Sequence, residues 1–451
     1  MIPVSETGAN PPPPAEASRA SGLRLPPMFR SLAFRNFQLF FGGQIISLTG
    51  TWMQTIAQAW LVYRLTGSSL LLGAVGFAGQ IPVFLLAPVG GFVADRWNRQ
   101  RIVIATQTSM MIEAFLFAWL TLSGRIRVWE IVVLAVALGV ANAFDIPARQ
   151  AFLIEMVDRE TLMNAIALNS SMFNAARVVG PAVAGILVAA IGEGWCFFAN
   201  AVSFIAVILG LLLMRVERRP AWAEPASPLE SVIEGFRFAR ATEPIWALLL
   251  LVGVVSLVAM PYTVLMPIFA DHILHGGARG LGLLMGATGI GALAGALTLA
   301  ARTRLGGLHR WIAMSAMGFG ATLIAFAFSR WFWLSFLVLV PSGFAMMLEM
   351  ACTNTLLQAM SPDRLRGRVM ALYSMMFMGL APFGSLFAGA VADRIGVEWT
   401  VAIGGAVCVG FAAWFARRLP RLRPLARQLI VAQQLVGGEP AGATAAPRAL
   451  R

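Results

Sequence analysis

The stretch GGFVADRWNRQR (residues 90–101) places one aspartate and three arginines between two almost uncharged, apolar runs. These runs, residues 70–94 and 102–122, each match the length of about 20 apolar residues that a helix needs to cross a bilayer. A compact charged loop between two such runs predicts two membrane helices joined by a tight turn at the membrane surface. The same alternation of long apolar runs and short polar loops recurs along the whole chain.

The composition excludes an ordinary water-soluble globule. Of the 451 residues, 58% are hydrophobic and only 12% are charged, whereas about a quarter are charged in soluble domains. The mean hydropathy is +0.76. We therefore predict an all-α polytopic membrane protein, because helices satisfy their backbone hydrogen bonds inside the bilayer. Twelve transmembrane helices are expected, at residues 36–62, 70–94, 102–122, 129–148, 165–191, 195–214, 244–270, 281–301, 310–329, 331–352, 367–391 and 397–416.

One long polar segment divides these spans into two groups of six. It covers residues 215–243 and is richer in charged residues than any other internal segment. The first 30 residues are rich in Pro, Ala and Ser, which is typical of a disordered tail. We therefore expect a disordered cytoplasmic N-tail (1–30), a six-helix bundle (31–214), a cytoplasmic linker (215–243), a second six-helix bundle (244–416) and a basic cytoplasmic C-tail (417–451).

The two halves are similar to each other in one register. A shift of 204 residues aligns Asp145 with Glu349 and Gly180 with Gly384. Acidic residues within membrane spans are rare, so the match of two acids is the more informative one. Internal six-helix repeats predict two pseudo-symmetric bundles that bind substrate at their interface, near the middle of the membrane.

The basic residues are distributed unevenly between the two sides of the expected membrane. All 34 are arginines, and the net charge is +13. The N-tail, the even-numbered loops and the C-tail hold 27 of them, the odd-numbered loops hold six, and Arg177 lies within a span. By the positive-inside rule, this asymmetry predicts a multi-pass protein of the bacterial plasma membrane with both termini in the cytoplasm. The excess charge is expected to contact anionic lipids, and nucleic acid is not expected as a partner.

The charged loop resembles the signature loop of the major facilitator superfamily. The matching residues are Gly91, Asp95, Arg96, Arg99 and Arg101, with Asn98 where glycine is usual and Gln100 before the last arginine. The resemblance implies the twelve-helix fold of that superfamily. It also implies that Asp95 is a latch, which holds the cytoplasmic side closed against a helix N-terminus of the other half. The alternative is an ordinary inside loop in which the aspartate pairs with one of the arginines.

Three further stretches resemble the bacterial drug and siderophore efflux branch of this superfamily, which includes enterobactin exporters. They are SLTGTWMQTIAQAWLVYRLTGSS (47–69), ANAFDIPARQAFLIEMV (141–157) and ALNSSMFNAARVVGPAVAGILV (167–188). The resemblance covers roughly residues 30–418. It implies a secondary active transporter that exports a hydrophobic or amphiphilic small molecule and works as a monomer, with the proton gradient as its energy source and no cofactor. A facilitator or an importer of another small metabolite or lysolipid is the alternative.

The third of these stretches contains a possible helix bend. Gly180, Pro181 and Gly185 resemble a shortened antiporter motif of superfamily exporters. Proline removes a helix hydrogen bond and glycine allows close packing, so the helix is expected to bend against its neighbours. The resemblance implies a link to exchange with protons. A kinked packing helix without a part in coupling is the alternative.

Five charged residues within the spans or at their ends are candidates for coupling or gating. Glu113 and Arg177 lie inside spans, where a charge is costly and is usually paired or faces a wet cavity. Asp145 and Arg149 are spaced i, i+4, so they face one way and can pair. Together with Glu349 they could form an intracellular gate. Purely structural ion pairs are the alternative.

Polar residues on three predicted helices are candidates for the wall of a substrate cavity. Four of them, on the first helix, are spaced by 7, 3 and 4 residues and so share one helical face. A polar face on a membrane helix should contact protein or water. The two asparagines among the candidates could equally join helices by hydrogen bonds. The candidates are Gln44, Thr51, Gln54, Gln58, Asn169, Asn174 and Tyr262.

Other classes of membrane protein find little support in the sequence. A polytopic membrane enzyme such as a prenyl transferase needs a cluster of acidic or histidine ligands. The chain has no Asp-Asp-x-x-Asp motif, and His272 and His275 lack further ligands nearby. We therefore expect neither a metal site nor enzyme activity. A channel would need a pore ring or a filter loop, and direct use of ATP would need a phosphate-binding glycine loop; neither is present.

Overall fold

A computed structural model describes most of the chain. The elements of regular structure in the described ranges are helices. The expected N-tail up to residue 26, the first part of the expected linker and the end of the expected C-tail lie outside these ranges. The described residues are 27–158, 160–214, 228–302 and 307–436.

The first bundle contains six long helices that follow the first six predicted spans. A short 3-10 helix, Pro27–Ala33, precedes them. Each helix extends a few residues beyond its apolar run at one or both ends, because polar residues can continue a helix into the headgroup region. The helices are α1 (Arg35–Thr66), α2 (Ser69–Arg96), α3 (Arg99–Leu122), α4 (Val128–Met156), α5 (Leu162–Ile191) and α6 (Glu193–Leu213).

Short turns with capping residues hold these helices antiparallel. α1 ends at Gly67, whose φ of 61° lies in the left-handed region that glycine adopts without strain. Ser68 then accepts a hydrogen bond from the backbone N–H of Leu71 at 3.3 Å and caps α2. Asn98, where the superfamily loop usually has glycine, caps α3 by accepting from the backbone N–H of Arg101 at 3.0 Å. The asparagine that replaces the usual glycine therefore stabilises the start of α3.

The second bundle contains six more long helices. In the described part of the chain, eleven of the twelve helices are long and apolar enough to cross a membrane, and the exception is α1. The polar residues on one face of α1 explain this exception, since glutamine and threonine lower the hydropathy of the helix. The helices of the second bundle are α7 (Glu243–Ile273), α8 (Gly277–Ala300), α9 (Leu308–Ala327), α10 (Phe332–Met360), α11 (Asp363–Ile395) and α12 (Val397–Val436).

Part of the expected linker is a helix that docks on the second bundle. This linker helix covers Pro228–Ala241. Its Glu234 forms ion pairs with Arg364, at 2.9 Å, and with Arg368, both in α11. Gly235 packs directly against Arg368. The described half of the linker is thus attached to α11 rather than extended between the bundles.

The last helix is much longer than its predicted span of 397–416. α12 has 40 residues, which corresponds to about 60 Å at 1.5 Å per residue, twice the thickness of the hydrocarbon core. The extension lies where the sequence predicted the start of a basic tail. Leu422 and Ala426 are buried against the second bundle, and Arg421 pairs with Glu243 at the start of α7 at 3.0 Å. These contacts keep the extension helical despite Pro420 and Pro424.

The helices pack in the same pairs in both bundles. In the first bundle α2 packs on α4, α3 on α4 and α6, and α1 on α5 and α6. In the second bundle the corresponding pairs are α8 with α10, α9 with α10 and α12, and α7 with α11 and α12. Adding six to each helix number converts the first set into the second. The fold therefore has the pseudo-twofold arrangement that the internal repeat predicted.

The two bundles differ in the regularity of two helices. α7 contains the π turns Val255–Ala259 and Phe269–Ile273, and α11 contains the π turn Met375–Gly379. Pro261 and Pro267 lie close to the turns in α7, and proline cannot donate to the regular hydrogen-bond ladder. The equivalent helices of the first bundle, α1 and α5, are continuous α-helices.

Candidate functional site

The two bundles meet along two helix pairs, α2 with α11 and α5 with α8. Each pair crosses at glycines. A β-carbon on Gly389 would lie 3.0 Å from the Cα atom of Gly73, and one on Gly185 would lie 2.8 Å from the Cα atom of Gly282. The two crossings are equivalent under the pseudo-twofold axis. At both, only glycine lets the backbones approach so closely.

These crossings close one end of the interface. We call the end at which α1 begins and α12 ends the terminal side, and the opposite end the far side. Gly73 is near the start of α2, and Gly389 is near the end of α11, so this crossing lies on the far side. The same holds for Gly185 near the end of α5 and Gly282 near the start of α8.

Polar contacts reinforce the closure of the far side. The hydroxyl of Tyr63 in α1 donates to Asp271 Oδ2 in α7 at 2.8 Å. These two residues are 208 positions apart, nearly the repeat distance, and so they are close to equivalent positions of the two bundles. The hydroxyl of Ser69 lies 3.5 Å from Asp393 Oδ1 across the α2–α11 contact. Neither pair was predicted from the sequence, because both depend on which helices of the two bundles are neighbours.

The interface is open towards the terminal side. Along α2 the ring contacts with the second bundle end at Phe84, which packs edge-on against Phe383. Beyond it, Leu85 and Phe92 are 62% and 52% exposed. In the contact between the bundles, α2 packs mainly on the far-side part of α11, Ala381–Ile395, and not on its terminal part, Asp363–Ser374. The two bundles therefore separate towards the terminal side, and we call the space between them the hollow.

Arg177 lies at the inner end of this hollow. It is near the middle of α5, and its carbonyl oxygen would be 3.3 Å from a β-carbon on Gly289 of α8. Its guanidinium lies 5.7 Å from the ring centroid of Trp52 in α1. Trp52 in turn packs edge-on against Phe173, with ring centroids 5.8 Å apart. The sequence predicted a paired or wet arginine, and the structure gives it an aromatic neighbour.

Tyr262 belongs to α7 of the second bundle. Tyr262 is only 2% exposed, and its hydroxyl donates to Thr288 Oγ1 in α8 at 3.4 Å. Its expected place on the cavity wall stays a prediction, since in this state the ring is packed inside the second bundle.

Glu113 belongs to a polar cluster inside the first bundle. Gln54 Nε2 in α1 donates to both carboxyl oxygens of Glu113 in α3, at 3.0 and 3.2 Å. Asn200 Nδ2 in α6 donates to Gln54 Oε1 at 2.7 Å. All three residues are buried. The cluster therefore joins three helices, and Gln54 has partners within the bundle rather than on the cavity wall.

The other polar candidates on α1 also have partners within the first bundle or are only partly buried. Gln44 is buried and its Oε1 atom accepts from Arg149 Nη1 at 3.3 Å. Thr51 and Gln58 are half-buried, and the Thr51 hydroxyl donates to the Ser47 carbonyl within α1. The face of α1 that carries these residues contacts both the bundle interior and the hollow, because α1 packs on α5 and α6. The spacing of polar residues along α1 therefore does not show which of them line the hollow.

The ion pair predicted from the spacing of Asp145 and Arg149 is present. Asp145 Oδ2 is 3.1 Å from Arg149 Nε. Thr106 Oγ1 and Gln107 Nε2 in α3 both donate to the other oxygen, at 2.9 and 3.0 Å. Asp145 is buried between α3 and α4. The carboxylate therefore has a cation and two further donors.

Glu349 lies at the equivalent position of α10 but has fewer partners. It is fully buried. Thr353 donates to its Oε1 atom at 3.4 Å, and among the described residues its Oε2 atom has no hydrogen-bond partner. Asp145 and Glu349 each lie within their own bundle here, so a gate formed by both stays a prediction.

The charged loop is attached to its own bundle. Arg99 pairs with Glu155 in α4 at 2.7 Å and lies 4.0 Å from Asp95. The Asp95 side chain is 57% exposed, and Arg96 lies over the ring of Phe92. Arg101 is exposed. In this state, Asp95 therefore contacts its own loop and remains available to a partner.

The two glycines before the charged loop have different surroundings. A β-carbon on Gly90 would clash with the carbonyl oxygen of Ala143 in α4, whereas one on Gly91 would meet nothing within 4 Å. Adjacent helix residues point about 100° apart, so only one of the two glycines faces α4. The assignment of Gly91 to the signature loop stays a prediction.

The glycine and proline motif of α5 lies at helix contacts. Gly180 packs against Thr49 and Trp52 of α1, and Gly185 packs against Gly282 of α8. α5 stays helical through Pro181. Asn169 is half-buried, and Asn174 donates to the Ser170 carbonyl of its own helix at 2.9 Å. The packing function of the motif is thus visible, and its link to protons stays a prediction.

Two pseudo-symmetric six-helix bundles around a hollow, closed at one end by helix crossings, define an alternating-access transporter. The chain matches the family described as transmembrane secretion effector over residues 27–436, and it belongs to this family. The family lies in the major facilitator superfamily, so the predicted membership of its efflux branch is confirmed. The protein is a multi-pass membrane transporter for small molecules and not an enzyme.

Individual proteins support the same assignment. The chain is 27% identical over 389 residues to the staphyloferrin A transporter of Staphylococcus aureus, covering 85% of this chain and 97% of that one. It is 27% identical over 388 residues to the multidrug efflux pump Tap of Mycolicibacterium fortuitum, covering 83% and 93%. Among solved structures, a bacterial homologue of the iron transporter ferroportin in its inward-facing state superposes with a TM-score of 0.65, at 18% identity, over 85% of this chain and 98% of that one.

Proposed function

We propose that this protein exports a siderophore-like or drug-like amphiphile from the cytoplasm by alternating access of its two bundles. The observation that carries the proposal is the asymmetry of the interface, which is closed on the far side by two glycine crossings and open on the terminal side. The names of the relatives support the type of cargo. The arginine bias supports a cytoplasmic location of the terminal side in a bacterial plasma membrane.

In the opposite state, the terminal side would close and Asp95 would act as a latch. Its side chain is exposed here, and Arg99 is held by Glu155 at 2.7 Å rather than by Asp95 at 4.0 Å. The aspartate is therefore free to face a helix N-terminus of the second bundle when the bundles approach. The cavity lies within one chain, which supports function as a monomer. Exposed arginines on the terminal side would contact anionic lipids.

Proton coupling would use one or both of the buried glutamates. Glu113 is held by an amide donor and Glu349 by a hydroxyl. Neither has a cation within ion-pair distance among the described residues, and an ionised carboxyl in such a place is costly. A group that is neutral in one state and ionised in another can carry a proton across the cycle. Each glutamate has its own bundle, so substitution of one leaves the other in place.

The decisive experiment is transport in inside-out membrane vesicles with an imposed pH gradient. The probes are three amphiphiles, namely neutral dansylglycinamide, anionic dansylglycine and cationic ethidium. An exporter accumulates its cargo inside such vesicles when the lumen is acidic, and a protonophore abolishes the accumulation. Glu113→Gln and Glu349→Gln identify the coupling group as the variant that loses accumulation but keeps exchange of labelled for unlabelled probe.

The outcomes separate the alternatives. Equilibration of the probe across the membrane without accumulation, with or without the pH gradient, indicates a facilitator. Gradient-driven release from preloaded vesicles indicates an importer. If accumulation persists at the wild-type rate in both glutamine variants, the assignment of coupling to these residues is wrong.

A further inference from the structure

Arg177 is a cation inside the membrane that has no paired anion among the described residues. No carboxylate in that part of the chain lies within 4 Å of it, and its guanidinium lies 5.7 Å from the centroid of the Trp52 ring. An arginine has five N–H donors in a planar fork. A ring face uses none of them in a strong hydrogen bond, so the guanidinium retains donors for an acceptor from elsewhere.

The acids nearest to the inter-bundle hollow are engaged with other groups. Asp145 is paired with Arg149, and Asp271 accepts from Tyr63 on the far side. Glu113 accepts two bonds from Gln54 inside the first bundle, and Glu349 is fully buried inside the second. None of these four acids forms an ion pair with Arg177, so its charge is not balanced by a carboxylate of the described residues. In a low-dielectric environment such a charge is expected to attract an anion and to repel a cation.

Two aromatic rings lie beside this charge. Trp52 contacts the guanidinium, and Phe173 packs edge-on against Trp52 at a centroid distance of 5.8 Å. Phe173 is one helical turn before Arg177, on the same face of α5, and it is exposed towards the open terminal side. A molecule entering the hollow from that side meets the ring first and the guanidinium behind it.

We propose that the cargo carries a carboxylate or another oxyanion group, that Arg177 binds this group, and that Trp52 and Phe173 pack against its apolar part. This proposal deepens the proposed function and rests on it. A planar guanidinium binds a carboxylate with two parallel hydrogen bonds, and aromatic rings favour flat apolar groups. Cargo of this class would be an acidic amphiphile, and cationic amphiphiles would be excluded by charge.

The test is equilibrium binding to the purified full-length chain in lipid nanodiscs, without any gradient. Dansylglycine and dansylglycinamide share one fluorophore and differ only in a carboxylate against a neutral amide. We expect wild type to bind dansylglycine about tenfold more tightly than dansylglycinamide, since bidentate, charge-assisted hydrogen bonds are among the stronger polar contacts. Ethidium should bind more weakly than both.

Four variants locate the origin of this preference. Arg177→Gln should bind both dansyl probes with equal affinity, and Arg177→Lys should retain part of the preference because it keeps the charge. Trp52→Leu should weaken both probes by a similar factor. Arg330→Gln is the matched control, because Arg330 pairs with Glu398 at the exposed far side and lies outside the hollow. Binding of dansylglycinamide to Arg177→Gln shows that this variant is folded.

The proposal is overturned if wild type binds the two dansyl probes equally or binds neither, or if Arg177→Gln keeps the preference for dansylglycine. Failure of Arg177→Gln to fold moves the comparison to Arg177→Lys. In that case a partial preference at neutral pH that disappears at alkaline pH, where the introduced ammonium loses its charge, supports the charge. A full wild-type preference that does not depend on pH contradicts it. The binding assay needs no transport. A preference for dansylglycine without gradient-driven accumulation would therefore reject the proposed function but retain the anion site.

Discussion

The two bundles share one architecture, but their equivalent buried acids have different partners. Asp145 and Glu349 lie at equivalent positions, and each has a partner four residues later in its own helix. In the first bundle the partner is Arg149, and α3 adds two more donors. In the second bundle the partner is the hydroxyl of Thr353, and one carboxyl oxygen accepts no hydrogen bond from the described residues. Two equivalent backbones thus hold an ion pair in one bundle and, within the described part of the chain, a carboxyl without a cation in the other.

The irregular helices follow the same division. α7 and α11 contain π turns, while their equivalents α1 and α5 are continuous. π turns in α-helices are frequent at functional sites, where the backbone ladder is already interrupted. The second bundle therefore contains both the interrupted helices and the buried acid at position 349, whereas the equivalent helices and acid of the first bundle are regular and ion-paired.

The largest effect is expected from removing the cation of the first bundle. Arg149→Ala leaves Asp145 as a buried carboxylate without its guanidinium, which should lower the free energy of unfolding by about 3–5 kcal/mol. The equivalent change in the second bundle, Thr353→Ala, removes one long hydrogen bond and should lower it by less than about 1 kcal/mol. Thermal unfolding in detergent, followed by size-exclusion chromatography, measures both. Equal losses would show that the two sites do not differ as described.

A matched pair of isosteric changes tests the acids themselves. Asp145→Asn leaves Arg149 without its carboxylate and should cost about 2 kcal/mol. Glu349→Gln should change the stability by less than about 1 kcal/mol, because it replaces a carboxyl that has no cation partner. The same unfolding assay compares them. A large loss in Glu349→Gln would mean that an unseen cation neutralises Glu349, and the contrast between the bundles would disappear.

The contact between the bundles at equivalent positions gives a smaller effect. Tyr63→Phe removes the hydrogen bond from α1 to Asp271 in α7. A hydrogen bond to a charged group contributes about 1.5 kcal/mol, so the equilibrium between far-side-closed and far-side-open states should shift about tenfold towards the open one. Distances between spin labels on the far-side loops report this equilibrium. Ser69→Ala, at the longer contact, is the control and should shift it less.

The smallest effect on stability is expected at the signature loop. Asp95 is exposed and 4.0 Å from Arg99, so Asp95→Asn should change the free energy of unfolding by less than about 0.5 kcal/mol. If Asp95 is the latch, the same variant should nevertheless transport more slowly in vesicles and favour the terminal-side-open state. Normal transport by Asp95→Asn would remove the support for the latch.

Much of the architecture could be predicted from the sequence. The twelve helices follow from apolar runs of membrane length, and the pairing of Asp145 with Arg149 follows from a spacing within one helix. Such local signals need no knowledge of which helices are neighbours.

Other features depend on tertiary neighbours that no local pattern reveals. Gln54, Glu113 and Asn200 come from three helices, and only the packing of α1 and α3 on α6 brings them together. The extension of α12 was expected as a tail because its prolines and arginines are typical of one. Its buried residues Leu419, Leu422 and Ala426 repeat at helical spacing, which was an available but weak signal.

The glycine crossings have a consequence for variation at the exit. The far side must come together again at both crossings in every transport cycle, and the backbones touch through Gly73 with Gly389 and Gly185 with Gly282. Even one methyl group at any of these four positions would hold the helices apart. Such a variant is therefore expected to leak at the exit and not to lose its fold.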